Sequence, residues 1–445
     1  MNFDLKKNYF IVVIIAIHLV WFLGGMQWRN FYNGDSYEYI YLAESISKGH
    51  YYGANPVMPV IDYRMSSRTP AYPLFLLTFY TLFGKSNILI LLFQNILSVA
   101  SCCIMLNTFR RIDSFKKYTW IYLLFIVFYP AQMVFATVLA PDTLLQFFLV
   151  LYFRQLFLSI YEPKALHIGY MSLWLVMAVM TKPIMYPFLF LHFAFALWYA
   201  FRSKSKMIVL TGAIPLLVIM SYGLWNQQRT GLFHVSSVES NNLLYFNTRF
   251  FLVSKYGEPY ADSVIRGVKK RVESMDGLKQ KYKSASREAT AIIKNDLFSY
   301  GLFHLKESIR FFVEPGKSEL DLYTGYLSSN FDPKALTFYR SYNERGIAGA
   351  WDYLKSYPWL PLVLLVFLFN LVRIVGVFLF IFNKRLPLSL RILSTIYLLY
   401  FAAITGPVSN TRYFLPVLLI MSCMATVGYA GWIEKIKNKK RQLSI

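Results

Sequence analysis

A polar stretch between two apolar runs, residues 28–84, carries acidic and basic side chains whose types could do chemistry. Asp35 and Glu38 begin a short amphipathic helix in it, and Arg68 stands near its middle, shortly before Tyr72. A carboxylate can act as a general base toward an attacking hydroxyl. A guanidinium offers a planar fork of donors that suits phosphate oxygens. We therefore expect this stretch to carry the catalytic carboxylate, Asp35 with Glu38 beside it, of an enzyme at a membrane surface.

Further ionisable residues lie at or near the ends of later apolar runs, namely Asp142, Lys182, Arg229 and Arg412. A charged group at such a depth is costly unless it is paired or used, so each is a functional candidate. Several cations on one face beside a carboxylate indicate an anionic substrate. The histidines are few and scattered, so no metal site is expected. Walker and GxGxxG motifs are missing, so nucleotide binding has no support.

The acidic candidates also have structural explanations. Asp35 and Glu38 fit a capping box, in which Asp35 is the N-cap and Glu38 stands three residues later. Asp142, in the run Ala-Pro-Asp-Thr, fits the cap of a span that begins at Thr143. Capping and catalysis are compatible for Asp35, because a cap would also hold the carboxylate in place.

The basic candidates have structural explanations too. Arg68 would meet lipid headgroups, and Lys182 would extend its ammonium group to the membrane interface. Arg229 and Arg412 both stand near aromatic residues and would anchor the chain at the interface. The sequence alone leaves both interpretations open for each of these cations.

The composition identifies the elements that must position these residues. Of the 445 residues, 56% are hydrophobic and 16% are charged, whereas soluble globular proteins have about 25% charged residues. Several apolar runs reach about 17–22 residues, enough to cross a hydrocarbon core of ~30 Å. The net charge of +23 lies in short basic patches between these runs. That placement is typical of cytoplasmic loops and not of nucleic-acid binding. The chain is predicted to be an all-α polytopic membrane protein.

The apolar runs predict ten transmembrane helices, with both termini in the cytoplasm. Basic connections alternate with connections that have almost no charge, as the positive-inside rule requires. The Asp35 side is then extracytoplasmic. The predicted spans are 9–25, 86–108, 118–136, 143–160, 166–181, 183–201, 207–225, 358–382, 386–405 and 412–432.

These spans divide the chain into three parts. Residues 1–225 form a predicted transmembrane catalytic module that includes a first outer loop, 26–85. Residues 226–356 form an extracytoplasmic segment of mixed charge, and residues 357–445 contain the last helices and a basic cytoplasmic tail. Contact with membrane lipid is expected throughout the spans.

Helical periodicity also appears outside the predicted spans. Residues 70–83 are apolar but too short to cross a membrane comfortably, so we expect an interfacial helix that lies flat. In the extracytoplasmic segment, residues 262–275 and 286–312 repeat apolar positions at helical spacing. These stretches predict a mostly helical outer segment.

Six short motifs occur in order along most of the chain: Gly-Asp-Ser-Tyr-Glu-Tyr, Arg-Thr-Pro-Ala-Tyr-Pro, Ala-Pro-Asp-Thr, Met-Thr-Lys-Pro, Thr-Gly-Leu-Phe and Thr-Arg-Tyr-Phe-Leu-Pro. Each is degenerate, but together they resemble the motifs of bacterial membrane glycosyltransferases of the GT-C fold that use polyprenyl-phosphate sugars. That group includes the lipid A aminoarabinose transferases and the protein O-mannosyltransferases.

The resemblance implies a sugar transferase of the bacterial inner membrane, with its active site on the extracytoplasmic face. The donor would be a sugar on polyprenyl (undecaprenyl) phosphate, and the acceptor a glycan, lipid or protein of the cell envelope. Asp35 corresponds to the first-loop catalytic acid and would act as general base, with inversion at the anomeric carbon. Ser36 follows Asp35, so Glu38 is the only close acidic companion, and no metal is predicted. The expected substrate-binding residues are Arg68, Tyr72, Asp142, Lys182, Arg229 and Arg412.

Two other classes of protein remain as alternatives. O-antigen polymerases and ligases also combine many spans with a large outer loop, but they rely on arginines in later loops. A transporter or flippase of lipid-linked sugars would have polar residues at mid-membrane on broken helices. Here the charges stand at the ends of the spans, which favours the transferase.

Overall fold

The computed structural model describes residues 5–28, 30–51, 66–326, 338–408 and 410–443. In these ranges the chain is almost entirely helical and contains no β-strand. Parts of the predicted loop 26–85 and of the predicted segment 226–356 lie outside the described residues. The helical fold confirms the predicted all-α class.

The first half of the chain alternates long apolar helices with short polar connections. A 3₁₀ turn over Pro183–Met185 lies between the ninth and tenth helices described. In chain order the helices are α1 (Leu5–Trp28), α2 (Ser36–Ser47), α3 (Ala71–Phe83), α4 (Asn87–Phe109), α5 (Asp113–Lys117), α6 (Thr119–Val127), α7 (Ala131–Ala136), α8 (Asp142–Tyr161), α9 (Ala165–Thr181), α10 (Phe188–Ser203) and α11 (Lys206–Thr230).

The second half begins with shorter, more polar helices and ends with long apolar ones. A π-helix, Asn242–Thr248, follows directly on α12, and a 3₁₀ turn, Gly406–Val408, follows α20. The helices are α12 (Glu239–Asn241), α13 (Arg249–Tyr256), α14 (Glu258–Glu273), α15 (Gly277–Lys294), α16 (Leu297–Arg310), α17 (Lys317–Thr324), α18 (Phe338–Ser356), α19 (Leu360–Ile381), α20 (Leu388–Thr405) and α21 (Thr411–Leu443).

Within the described part of the chain, seven helices are long and apolar enough to cross a membrane: α1, α4, α8, α11, α19, α20 and α21. The apolar helices α9 and α10 are shorter, with 17 and 16 residues. These nine helices correspond to nine of the ten predicted spans, with ends that agree to within about five residues except that α21 continues to Leu443, well beyond the predicted end at 432. The polytopic architecture is therefore confirmed.

The one remaining predicted span, 118–136, is not a single helix. α6 ends at Val127, and α7 begins at Ala131 after Pro130. Proline has no backbone N–H and disfavours helical geometry in the residue before it, so the helix stops ahead of it.

The helices predicted outside the spans also have different limits. The periodicity over 262–275 corresponds to α14, but the predicted stretch 286–312 is divided between α15 and α16. The division falls at Asp296, whose carboxylate accepts a hydrogen bond from the backbone N–H of Ser299 at 3.1 Å. An aspartate that caps a helix in this way fixes a new helical start.

The helix α21 passes through the middle of the bundle and is buried along most of its apolar length. It packs closely on α19, where a Cβ atom placed on Gly428 would lie 2.0 Å from the carbonyl oxygen of Gly376. Small residues let membrane helices approach each other to this distance. This packing fixes α21 as the central element, and its first residues lie in the site described below.

The basic connections meet at one end of the bundle. Nζ of Lys437, near the end of α21, lies 3.4 Å from Oη of Tyr118. Arg385, before α20, pairs with Glu434 at 3.6 Å. The connections with few charges lie at the other end, where α8 and α21 begin and α9 and α20 finish. The bundle therefore has one basic end and one end that gathers the candidate site residues.

Candidate active site

Three helices bring their first residues together at the end of the bundle opposite the basic connections. Asp35 immediately precedes α2, Asp142 is the first residue of α8, and Arg412 is the second residue of α21. Nη1 of Arg412 donates a hydrogen bond to Oδ2 of Asp35 at 2.5 Å. Its Nε donates to Oδ2 of Asp142 at 2.9 Å. One guanidinium thus joins two carboxylates that are far apart in the chain.

Two further cations extend this arrangement. Nη2 of Arg68 donates to Oδ1 of Asp35 at 2.7 Å, and its Nε donates to Oε2 of Glu38 at 2.8 Å. Nζ of Lys182 donates to Oδ1 of Asp142 at 2.6 Å. The result is a continuous ion-pair cluster that runs in the order Glu38, Arg68, Asp35, Arg412, Asp142 and Lys182.

These contacts overturn the structural explanations given above for the acids. Asp35 precedes α2 but makes no side-chain capping hydrogen bond, because both of its oxygens are bonded to arginines. Glu38 bonds Arg68 instead of closing a capping box. Asp142 lies inside α8, and Pro141 occupies the cap position.

The same contacts overturn the explanations for three of the cations. Lys182 does not extend to the interface, because it is only 9% exposed and its ammonium group bonds Asp142. Arg68 and Arg412 are each held between two carboxylates, so neither acts as a simple interfacial anchor. Their positions are set by ion pairs within the protein.

A cavity of about 410 Å³ opens beside the ion-pair cluster. Asp35, Arg68, Lys182 and Arg412 line it, whereas Asp142 and Glu38 stand behind them. The face turned to the cavity therefore carries three cations and one carboxylate. The guanidinium of Arg68 lies 5.2 Å from the centre of the Tyr39 ring, which also lines the cavity. The walls thus combine positive charge with an aromatic surface.

Three side chains that line the cavity hold buried polar atoms without a hydrogen-bond partner among the described residues. They are Oγ of Ser67, Oγ1 of Thr69 and Nη2 of Arg412. A buried polar group without a partner costs about 1–3 kcal/mol. An anion with several acceptor oxygens would supply partners to such groups after small side-chain rotations.

The charges around Asp35 determine its protonation. Burial alone would raise the pKa of the Asp35 carboxyl, but the positive charges of Arg412 and Arg68 outweigh this effect. Together they hold the pKa well below its usual range. A carboxylate held in this state is a weak proton acceptor at neutral pH. The prediction that Asp35 is the general base stays a prediction, and these ion pairs favour a role in holding the two arginines.

The pKa of Lys182 is lower than usual, which favours its uncharged form. Burial and the nearby charge of Arg412 lower its pKa, although the Asp142 carboxylate opposes them, and the resulting pKa is about 8. Lys182 is therefore mostly charged at neutral pH but loses its charge under mildly alkaline conditions. An anion in the cavity would favour its charged form.

Two of the predicted site residues lie elsewhere. Tyr72 is fully buried behind Tyr39, at 5.2 Å between the ring centres, and its hydroxyl donates to Gln94 at 2.7 Å. Arg229 lies over the rings of Trp225 and Tyr51, at 4.5 and 4.8 Å. Neither residue is part of the cavity wall. Arg229 also donates hydrogen bonds to Ser66 and Asn226, and the binding roles of Tyr72 and Arg229 remain predictions.

Some residues of the cavity wall have no signal in the sequence that singles them out. Ser67 and Thr69 flank Arg68, and this proximity is the one clue that could have identified them. Glu239 and Asn242 come from a part of the chain with no recognisable motif. Among the described residues, no group of three or more His, Cys, Asp or Glu side chains is arranged to hold a metal ion.

A second cavity, also of about 410 Å³, runs along the apolar helices. Its walls come from α8, α10 and α20, and include Phe188, Trp198 and Tyr397. The first cavity touches the same two helices α10 and α20 at their ends, through Pro187 and Thr405. The two cavities are therefore neighbours, and Tyr400, which lines neither, contacts Ile184 of the first and Phe188 of the second.

Solved structures provide the available comparison with other proteins. The structure of ArnT from Cupriavidus metallidurans bound to undecaprenyl phosphate is 12% identical in sequence, with a TM-score of 0.40 over 95% of this chain and 78% of that one. The apo structure of the same ArnT is 11% identical, with a TM-score of 0.38 over 96% of this chain and 78% of the other. No protein-family model and no curated protein sequence matches the chain.

Proposed function

We propose that this protein is a membrane glycosyltransferase that moves a sugar from a polyprenyl-phosphate donor to an acceptor of the cell envelope. The acceptor is a glycan, a lipid or a protein, and the reaction takes place on the extracytoplasmic side of a bacterial inner membrane. The proposal depends mainly on one observation. Three cations from separate parts of the chain, Arg68, Lys182 and Arg412, line one cavity next to buried donors without partners.

The chemistry of the donor fits this arrangement. When the glycosidic bond breaks, negative charge grows on the phosphate that leaves. Fixed cations lower the energy of that state more than the energy of the bound donor, and this difference is what accelerates a reaction. Asp35 and Asp142 hold Arg412 in place before the donor binds. The site therefore needs little rearrangement during the reaction. Attack from the side opposite the phosphate would invert the anomeric carbon.

The lipid part of the donor fits the second cavity. A polyprenyl chain is apolar and requires a binding surface that continues into the membrane. The cavity between α10 and α20 is lined by side chains such as Leu191, Phe195 and Ile392. This cavity reaches Phe188, the residue after Pro187 in the wall of the polar cavity, so a phosphate in the polar cavity would have an apolar surface nearby for its lipid chain. The nearness of this surface supports a lipid-linked donor over a free sugar phosphate.

Binding of undecaprenyl phosphate tests the proposal. We expect the purified protein to bind this lipid, and Arg412→Gln to weaken binding at least tenfold, which corresponds to about 1.4 kcal/mol. Because Arg412→Gln leaves two carboxylates without a partner, its folding must be checked. The double variant Ser67→Ala and Thr69→Ala removes two hydroxyls without changing any charge, so it serves as the milder test.

The matched control is Arg287→Gln, which removes an exposed guanidinium from α15, away from the cavity. It should bind undecaprenyl phosphate as the wild-type protein does. Turnover is then measured with undecaprenyl phosphate that carries glucose, mannose or aminoarabinose. Wild-type protein that neither binds the lipid nor releases it from any of these donors would contradict the proposal.

A further inference from the structure

A further part of the cavity wall comes from the outer segment of the chain, which is bonded to the Arg68 segment through Ser236 and the carbonyl of Ser67 at 2.7 Å. Val238, Glu239, Asn242, Phe246 and Asn247 line it. They belong to α12, to the residue before it and to the π-helix that follows. Glu239 and Asp35 are the two carboxylate side chains among the described residues that line this cavity. The two acids therefore come from different segments of the chain, and only Asp35 is part of the ion-pair cluster.

The unusual helical geometry explains why so many residues of this segment reach the cavity. The lining positions come in adjacent pairs that repeat every fourth residue, 238–239, 242–243 and 246–247. Over four residues an α-helix makes slightly more than one turn. A π-helix, with its wider i to i+5 hydrogen bonding, makes slightly less. In a helix that changes from α to π, the excess rotation of the first part offsets the deficit of the second. Every fourth residue therefore stays on one face of the helix.

A hydrogen bond holds the carboxylate of Glu239, but no positive charge among the described residues is paired with it. Oη of Tyr282, on α15, donates a hydrogen bond to Oε2 of Glu239 at 3.0 Å. Within the described residues Glu239 has no ion-pair partner. Beside it, one helical turn further on, the side chain of Asn242 makes no hydrogen bond to any described residue and is only partly buried. Glu239 therefore presents an oxygen to the cavity next to an amide that can bind a hydroxyl.

The two carboxyls of the cavity differ in the direction of their pKa shifts. Glu239 is an exposed side chain, but the protein around it still removes enough water to raise the pKa of its carboxyl above the usual value, and the hydrogen bond from Tyr282 opposes this rise. The pKa of Asp35 is held low by two arginines. A pair of acids whose environments push their pKa values apart is suited to divided roles. The acid with the higher pKa is the better proton acceptor.

We infer that Glu239 binds the hydroxyl of the acceptor and takes its proton during sugar transfer, while Asp35 only positions Arg68 and Arg412. This inference rests on the proposed function. In the step, the acceptor oxygen forms a bond to the anomeric carbon as the bond from that carbon to the phosphate oxygen breaks. The acceptor proton moves to Glu239, and the phosphate leaves with the bonding electron pair. Tyr282 is a positioning residue that holds the carboxylate.

The variant Glu239→Gln tests this role, with undecaprenyl phosphate as the binding probe. An amide cannot accept the proton, so transfer from the undecaprenyl-phosphate sugars to a detergent extract of the cell envelope should fall by roughly a hundredfold or more. Binding of undecaprenyl phosphate should stay within about twofold of the wild-type value, because the proposed phosphate-binding cations Arg68, Lys182 and Arg412 are paired with other carboxylates and not with Glu239. The matched control is Glu273→Gln, an exposed carboxylate of α14 whose loss should change neither quantity.

The dependence of the rate on pH separates a base from a residue that only shapes the cavity. The wild-type rate should fall at acidic pH as Glu239 becomes protonated. Tyr282→Phe removes a hydrogen bond that favours the charged carboxylate, so the pKa of Glu239 should rise. The loss of transfer rate at acidic pH should then begin at a higher pH, while the rate at alkaline pH is retained. An unchanged pH profile in Tyr282→Phe would count against the inference.

The possible results distinguish this inference from the proposed function. If the wild-type protein binds undecaprenyl phosphate and transfers sugar, and Glu239→Gln does the same at the wild-type rate, then the assignment of Glu239 is wrong and the proposed function stands. If the wild-type protein neither binds the lipid nor turns over any of the donors, the proposed function is wrong, and the role of Glu239 is wrong with it.

Discussion

Asp35 is bonded through one oxygen to Arg68 and through the other to Arg412. These ion pairs are partly exposed, so removing Asp35 should cost less than the roughly 3–5 kcal/mol typical of a buried pair, although two partner charges are left uncompensated. The ion-pair cluster alternates three acids and three cations, so it is formally neutral while a net positive face is turned to the cavity. At the scale of single residues, the ion pairs hold the site together without a ligand and leave a positive face that suits an anion.

The first prediction concerns Asp35→Asn. The amide keeps the shape of the side chain but loses its charge, so Arg68 and Arg412 are held less firmly. We expect the protein to fold and to lose at least tenfold in transfer rate, about 1.4 kcal/mol in the barrier. A steady-state assay at several pH values provides the measurement. If the acidic fall of the rate disappears in this variant, Asp35 is the base and not a positioning residue.

The second prediction concerns the charge of Lys182, whose pKa is about 8. Lys182 loses its proton as the pH rises through this value, so affinity for undecaprenyl phosphate should fall between pH 7 and pH 9, by up to about tenfold. Lys182→Arg keeps the charge at both pH values and should remove this dependence. Titrations of the two proteins at pH 7 and pH 9 provide the comparison. If the affinities of the wild-type protein and of Lys182→Arg fall equally between pH 7 and pH 9, a group other than Lys182 is responsible.

At the scale of elements, the site depends on where four helices begin or finish. α8 and α21 begin next to each other, and α9 and α20 finish beside them, so Asp142, Lys182 and Arg412 meet. The position of α21 follows from its tight contact with α19 at Gly428 and Gly376. A shift of α21 along its axis would move Arg412 away from both of its carboxylates.

The third prediction tests this dependence with Gly428→Ala. A Cβ atom at this position would collide with the backbone of α19, so the two helices must move apart. We expect a loss of about 1–3 kcal/mol in stability, the usual range for overpacking. The control is Gly169→Ala in α9, where a Cβ atom meets nothing within 4 Å. Thermal unfolding in detergent should separate the two variants, and equal melting temperatures would contradict the packing argument.

At the scale of the whole molecule, the bundle has two chemically different ends. The candidate site lies at one end, and the basic connections before α6, before α20 and near the end of α21 lie at the other. The positive-inside rule assigns the basic end to the cytoplasm. The orientation in the membrane and the division into residues 1–225, 226–356 and 357–445 remain predictions.

The fourth prediction tests this orientation in intact cells. Lys48→Cys places a thiol on an exposed position at the end of α2, and Lys440→Cys places one near the end of α21. A thiol reagent that cannot cross membranes should label the first variant and not the second. Of the three natural cysteines, Cys102 and Cys423 are buried and Cys103 is partly exposed within α4, so the wild-type protein is the control for background labelling. Labelling at position 440 alone would reverse the predicted topology.

Individual residues show how far the sequence predicts the site. Asp35, Arg68, Asp142, Lys182 and Arg412 are identifiable because each is an ionisable group at the end of an apolar run, and the structure brings all five together. The same rule also selects Arg229, which packs on aromatic rings instead. Proximity to Arg68 in the sequence selects Tyr72, which bonds Gln94 in the core. Position along the chain does not reveal which way a side chain points.

The sequence by itself determined the helical membrane architecture, because hydrophobic length and charge placement act locally and leave a direct record in the chain. It also determined which charged residues lie at the ends of spans. Only the tertiary structure decided that Asp35 bonds two arginines and that Glu239 lines the same cavity. Those facts depend on contacts between distant segments, and on a change from α to π geometry at Asn242 that no local pattern records. Pairing between remote charges is a property of the folded bundle and not of any one helix.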